Sequence, residues 1–147
     1  MASDLKIDVD GVRLNVRVGV IMRFHDDVLI EISTVGRNSV IPGGRVKINE
    51  KSSKSLAREI QEEMAFDIVE QRLVQKNTFE NFFAYGDKPI HEIYFLYEYI
   101  VNDKEFEILN NLGINKDNQT TYFKFISKYD LAKYNVLPLD LYSIIQN

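Results

Sequence analysis

The segment spanning residues 52–66 limits the fold of this chain more than any other. Leu56, Ala57, Ile60 and Met64 recur at helical spacing and make one apolar stripe, so the segment reads as an amphipathic helix that must be buried on one side. At about 100° per residue, Glu59, Glu62 and Glu63 fall together on the opposite side, with Arg58 at their edge. Carboxylates one turn apart repel by about a few tenths of a kcal/mol per pair. Arg58 offsets one of them, not three, and Glu70 lies beyond the helix. The face therefore asks for a counter-charge. Carboxylate oxygens suit a hard divalent cation such as Mg²⁺ or Mn²⁺. Taken alone, three acids on one helical face are more often a solvated surface.

The flanking sequence supplies strands. Residues 5–9 alternate apolar and polar, and Asp10-Gly11 is a two-residue hairpin signal. Leu14, Val16, Val18, Val20 and Met22 then line one face of a strand, and Val28–Ile32 reads as the next. Residues 34–51 read as loop, broken by Pro42-Gly43-Gly44. Ser52 or Ser53 is the expected helix cap. Two long strand-like stretches follow at 68–85 and 90–101, with a hairpin turn at Gly86-Asp87-Lys88. Residues 102–118 look polar and irregular, and Thr120–Ile126 reads as a last strand. Ser127 with Asp130 matches a capping box for a short helix, and Pro138 can open a final helix carrying Leu141, Ile144 and Ile145. Strands with a few helices indicate a mixed sheet covered by helices, an α/β (α+β) class.

Composition narrows the chemistry. The 147 residues suit one domain over 1–147, with 45% hydrophobic and 27% charged residues. There is no cysteine, which excludes thiolate zinc sites, iron–sulfur clusters and a cysteine nucleophile. Neither a signal-peptide core nor an apolar run near the ~20 residues of a membrane span is present, so a cytoplasmic protein with no membrane partner is expected. The net charge of −4 and the lack of a basic stripe count against nucleic acid as a partner. They do not count against one phosphorylated small molecule, because a single metal or cation overrides the mean field locally.

The spacing around the helix adds a specific pattern. Gly44, five residues, Glu50, seven residues, then Arg58-Glu59-Ile60-Gln61-Glu62-Glu63 resembles the Nudix box. Every charged position and the first glycine match. By average residue usage, such a match arises by chance on the order of 10⁻⁵ times in a chain this long. Two positions depart: Ala65 stands where the pattern has its second glycine, and Phe66 at its final aliphatic site. The alanine leaves the helix end open, either continuing slightly or closing in a different cap.

The resemblance extends to the order of strand, Pro-Gly-Gly loop, box helix and long hairpin. It implies a Nudix fold, an α/β/α sandwich around a mixed β-sheet. It also implies a Mg²⁺- or Mn²⁺-dependent hydrolase that cleaves a phosphoanhydride bond in a nucleoside-diphosphate-linked small molecule. By position, Glu62 and Glu63 match metal ligands, and Glu59 matches a ligand or base. The carbonyl of Gly43 matches a further ligand, Arg58 orients a box carboxylate (Glu50 or Glu59), and Glu50 lies in the loop, either as a ligand through water or behind the ligands. A homodimer is common in the family, but no residue pattern here marks a dimer surface.

Substrate determinants stay open at this level. Arg37, Arg45 and Lys47 flank the Gly-Gly loop as candidate phosphate contacts. Tyr85 falls loosely where diadenosine-polyphosphate enzymes carry a tyrosine, and Phe79, Phe82, Phe83, Tyr94 and Phe95 are further stacking or core aromatics. Glu105, Glu107 and Asp117 are candidates for an additional carboxylate from a late loop. The rivals are a Nudix domain that senses a nucleotide without hydrolysing it, and an RNA 5′-end pyrophosphohydrolase. The intact box carboxylates favour catalysis over sensing.

Overall fold

In the computed structural model, which describes residues 2–147, one strand organises the rest. β2 (Val12–Phe24) runs parallel to β7 (Lys88–Ile100), from Arg13 opposite Ile90 to Arg23 opposite Ile100. Its first residues also pair antiparallel with β1 (Lys6–Val9), and its middle with the short β5 (Gly43–Arg45). At its far end, Arg23 and Phe24 begin the hairpin to β3 (Asp27–Ser33). β6 (Val74–Tyr85) forms the outer edge beyond β7. On the other side β3 pairs with β8 (Thr121–Ser127) and with β4 (Ser39–Val40), which pairs in turn with β9 (Val136–Leu137).

Strand alternation sends side chains to two cores. Val18, Val20 and Met22 face α1 (Ser52–Met64), meeting Leu56, Ile60 and Met64, with Leu29, Tyr99 and Phe123 in the same layer. Ile21, Val28, Ile30 and Leu96 face the other way, onto Leu131 and onto Leu141 and Ile145 of α3 (Leu141–Gln146). Helices thus cover both faces of a mixed sheet, as the α/β/α expectation has it. Among the described residues, no helix is long and apolar enough to cross a membrane.

Several local expectations change. The cap of α1 is Lys51 in an extended conformation, with no side-chain cap bond. Ser52 instead meets Tyr97 of β7, hydroxyl to hydroxyl at 2.7 Å, because the helix start lies over the sheet. Pro42-Gly43-Gly44 is not open loop, since Gly43 and Gly44 begin β5. The stretch 65–73 is extended chain and a single 3-10 turn, and the strand begins at Val74. At 127–130 there is only a 3-10 turn, with the Ser127 hydroxyl accepting from the Tyr129 N–H.

The polar segment after β7 contains a helix, α2 (Asp103–Leu109). Asn102 and Glu105 cap it reciprocally, at 2.9 and 3.0 Å. Arg72 donates to both Glu105 oxygens at 2.8 and 3.0 Å, and the Tyr99 hydroxyl donates at 2.7 Å. Burial alone would raise the Glu105 carboxyl, but these donors together hold it below the usual carboxylate range.

The end of α1 settles the alanine. Ala65 adopts the left-handed conformation, with φ 52° and ψ 37°, and its N–H reaches the Gln61 carbonyl at 2.9 Å. Phe66 and Ile68, buried directly after it, pull the chain into the core and require the turn. A left-handed alanine costs about 1 kcal/mol relative to glycine. Ala65→Gly should therefore stabilise the protein by about 1 kcal/mol in urea denaturation, against the usual direction of a glycine substitution.

Candidate active site

β5 lies so close to β2 and α1 that two side chains are forbidden. A Cβ on Gly43 would sit 2.1 Å from the Val18 carbonyl oxygen, and one on Gly44 would sit 2.3 Å from Cδ of Glu59. These glycines are needed for space, and neither takes the left-handed backbone. The contact presses the acidic face of α1 against the middle of the sheet.

Arg58 fastens the loop to the helix. Its guanidinium donates to Glu59 Oε1 at 3.0 Å, to Glu50 Oε1 at 3.2 Å and to the Arg45 carbonyl at 3.3 Å. Glu50 also accepts from the Ser55 hydroxyl, which together with Arg58 holds its carboxyl below the ordinary value. The alternatives open for Arg58 thus resolve to both Glu50 and Glu59. Burial pushes Glu59 up against the pull of Arg58.

Glu63 has no such cation. It is 7% exposed, and its Oε2 accepts only from Nδ2 of Asn115, at 3.0 Å. The same Nδ2 donates to Glu31 Oε2 on β3 at 2.7 Å, and the Thr121 hydroxyl donates to that oxygen at 2.6 Å. Asn115 is itself buried, and its Oδ1 accepts from the N–H groups of Asp117 and Asn118. One amide therefore holds two acids side by side. Burial, then the Glu31, Glu59 and Asp117 charges, push the Glu63 carboxyl up to about 8.

These groups line a polar cavity of about 320 Å³, with Glu31, Glu59, Glu63 and Asp117 facing Gly43, Gly44, Arg17 and Arg45. Nε of Arg45 is buried with no hydrogen-bond partner, and its Nη1 is 3.8 Å from Asp4. A larger, mainly apolar cleft of about 650 Å³ adjoins it, sharing Arg17 and Gly43.

Of the residues singled out in the sequence, Glu59, Glu63, Gly43 and Arg45 meet at the polar cavity. Arg58 and Glu50 stand behind it as its framework. Glu62 points outward, about half exposed and 3.5 Å from Arg58, and does not line the cavity. Arg37 is exposed, with its carbonyl bonded to Asn135, and Tyr85 is 82% exposed at the end of β6; neither lines either cavity. Of the three late acids, Asp117 lines the cavity, Glu105 caps α2, and Glu107 lies exposed on that helix.

Sequence reasoning missed Arg17, Glu31 and Asn115. Glu31 carried a weak signal, a lone acid in the apolar run Val28–Ile32. Asn115 carried none, standing among Asn110, Asn111 and Asn118.

The donor set fits an oxygen-seeking divalent cation. Glu31, Glu59 and Glu63 line one cavity, and each keeps one carboxylate oxygen without a hydrogen bond. Among the described residues no three acids or imidazoles already converge on one point.

At the level of sequence, no family model and no curated protein matches the chain. Solved structures do resemble it. A MutT protein from Methanosarcina mazei Go1 has a TM-score of 0.58 at 18% identity, covering 95% of this chain and 94% of that one. A C. elegans Ap4A hydrolase binary complex gives 0.60 at 16% identity, with 90% and 93% covered. A MutT Nudix hydrolase from Burkholderia pseudomallei gives 0.55 at 14% identity, with 90% and 95% covered. The chain has the fold of the MutT/Nudix proteins over nearly its whole length.

The raised Glu63 makes metal-free stability depend on pH. The folded state holds the Glu63 proton up to about 8, whereas the unfolded chain releases it near 4.5. The folded protein thus binds more protons between these values, and stability falls as pH rises through that window. Thermal melting in EDTA should show this slope, and Glu63→Gln should flatten it.

Proposed function

We propose that this protein is a Nudix-type pyrophosphohydrolase, dependent on Mg²⁺ or Mn²⁺, acting on a nucleoside-diphosphate-linked small molecule. Supporting this reading is one observation above all: Glu59 and Glu63, at box spacing, share a polar cavity with Gly43, Gly44, Arg17 and Arg45 in a Nudix fold. An Ap4A hydrolase and a MutT Nudix hydrolase share that fold.

Glu59, Glu63 and the Gly43 carbonyl would hold the cation, with Glu31 as a donor the box pattern does not contain; Glu62, the further donor that pattern implies, points away from the cavity here and would have to turn inward to join them. When bound, the cation supplies neutralisation of phosphate charge and a lower pKa for water. Arg17 and Arg45 attract the phosphates, and the orphaned Arg45 Nε gains an acceptor when they arrive. Glu59 Oε2, the one oxygen free of Arg58, serves either as donor to the cation or as acceptor of the attacking water's proton, one role at a time. Arg58 and Glu50 fix Glu59, so less reorganisation is left for the reaction. Attack at phosphorus breaks the anhydride and yields two phosphorylated products.

The test is a panel of nucleoside triphosphates, oxidised nucleotides, ADP-ribose, other nucleotide sugars and dinucleoside polyphosphates, with and without Mg²⁺. Turnover of one class that EDTA abolishes is expected. Glu63→Gln should keep a cooperative melt while losing at least about a hundredfold in kcat. Undiminished turnover in that variant would remove Glu63 from the mechanism, and binding without turnover anywhere would make the protein a sensor.

A further inference from the structure

The apolar cleft beside the acid cavity has a floor that its walls do not explain. On one face of the sheet, Asn81, Glu92 and Asn15 stand in a row across β6, β7 and β2. The next row is Phe79, Tyr94 and Arg17, with the two rings stacked at 4.9 Å. Glu92 is 7% exposed yet lines the cleft. Its Oε2 accepts from Asn81 Nδ2 at 3.0 Å, while Oε1 has only a 3.8 Å contact with Arg17 Nε and no hydrogen bond. Asn81 Oδ1 accepts nothing from the described residues. Asn15, in the same row but behind the cleft and not lining it, is also buried, with Oδ1 unpartnered. The walls are apolar: Phe83 on the floor's own face, and Val40 and Ile41 with the adjoining Leu137–Leu139, whose Leu137 pairs with Val40.

A buried carboxylate with a free oxygen inside an apolar cleft is costly unless a ligand donates to it. The cleft's volume of about 650 Å³ lies within the range of small-molecule sites. The free polar atoms are acceptors, so the matching ligand edge carries donors. The apolar walls call for a flat ring. Arg17 and Gly43 belong to both cavities, so a ring in the cleft is continuous with phosphates in the polar one. We infer that this cleft is a nucleobase pocket selective for guanine, with Glu92 accepting from the adjacent ring N–H and exocyclic amino group, Asn81 orienting Glu92, and Phe83 packing on the base. Adenine presents a ring acceptor where guanine presents a donor and would face the Glu92 carboxylate unfavourably. Hypoxanthine keeps the ring N–H and lacks the amino group. The inference rests on the hydrolase reading only in placing phosphates in the acid cavity.

Binding without turnover tests it. GMP, IMP and AMP are titrated into the protein in EDTA, with affinity read by calorimetry and contacts by NMR shifts. The expected order is GMP, then IMP, then AMP. Glu92→Gln should lose about tenfold or more for GMP and little for AMP. Phe83→Ala, at a half-exposed position that the fold does not need, should weaken all three while keeping their order. Equal affinities in the wild-type protein, equal losses in Glu92→Gln, or undiminished binding in Phe83→Ala would each overturn the pocket. Metal-dependent hydrolysis with no base ranking would overturn it and leave the hydrolase standing. Guanine-selective binding without hydrolysis of any guanosine compound would do the reverse.

Discussion

The backbone at Gly43 and Gly44 runs where no side chain has room, and this close approach sets the geometry of everything around it. Gly43 abuts the Val18 carbonyl and Gly44 abuts the Glu59 carboxylate. α1 is pinned over the sheet by Leu56, Ile60 and Met64 on its apolar face. Glu59 and Glu63 are therefore directed into the seam between helix and β5, while Glu62 of the same face stays outside it. A larger residue at 43 or 44 would lift the strand or swing Glu59 away. Arg58 closes the same seam from behind by bonding the Arg45 carbonyl and two carboxylates at once.

The acids gathered there are not equivalent, and the difference comes from their partners. Glu50 has a hydroxyl and a guanidinium and is held low. Glu59 shares the guanidinium but pays for burial and is pushed up. Glu63 has an amide alone, with Glu31 beside it, and rises to about 8. Folding does not tolerate such a gradient for its own sake, since an apolar pair would pack there at lower cost. Groups whose environments drive their pKa values apart are characteristic of sites that handle charge and protons. A divalent cation bound there would reverse the penalty on Glu63.

The parts legible in the sequence were those fixed by local periodicity and spacing. The helix stripe, the alternation in β2 and the hairpin turns depend on near neighbours, and so did the box. The site residues that escaped notice depend on pairing between distant segments. Glu31 and Asn115 are 84 residues apart and meet because β8 pairs along β3 and carries the preceding loop over the cavity. Nothing local distinguishes Asn115 from the other asparagines near it. α2 escaped for a different reason: its cap lies in a polar stretch whose apolar contacts, Phe106 on Phe24 and Leu109 in the core, lie far off in sequence. Ala65 is the converse case. A residue with little taste for a left-handed turn takes one because Phe66 and Ile68 must be buried.

The two adjoining cavities offer opposite environments, and under the proposed reading they would divide the chemistry of one ligand. The polar one gathers carboxylates around arginines, while the other is walled by apolar side chains over a few acceptors. Arg17 stands at their junction, on the strand that pairs with β5 on one side and β7 on the other. Parallel pairing places Arg17 opposite Tyr94, one row from Glu92, so a residue facing the phosphate side also reaches the buried acceptor. Slipping that register by one residue would turn Arg17 and Glu92 to opposite faces of the sheet. The long parallel pair at the centre of the fold therefore does more than build the core. It fixes the distance and direction between the polar cavity and the apolar cleft that share Arg17.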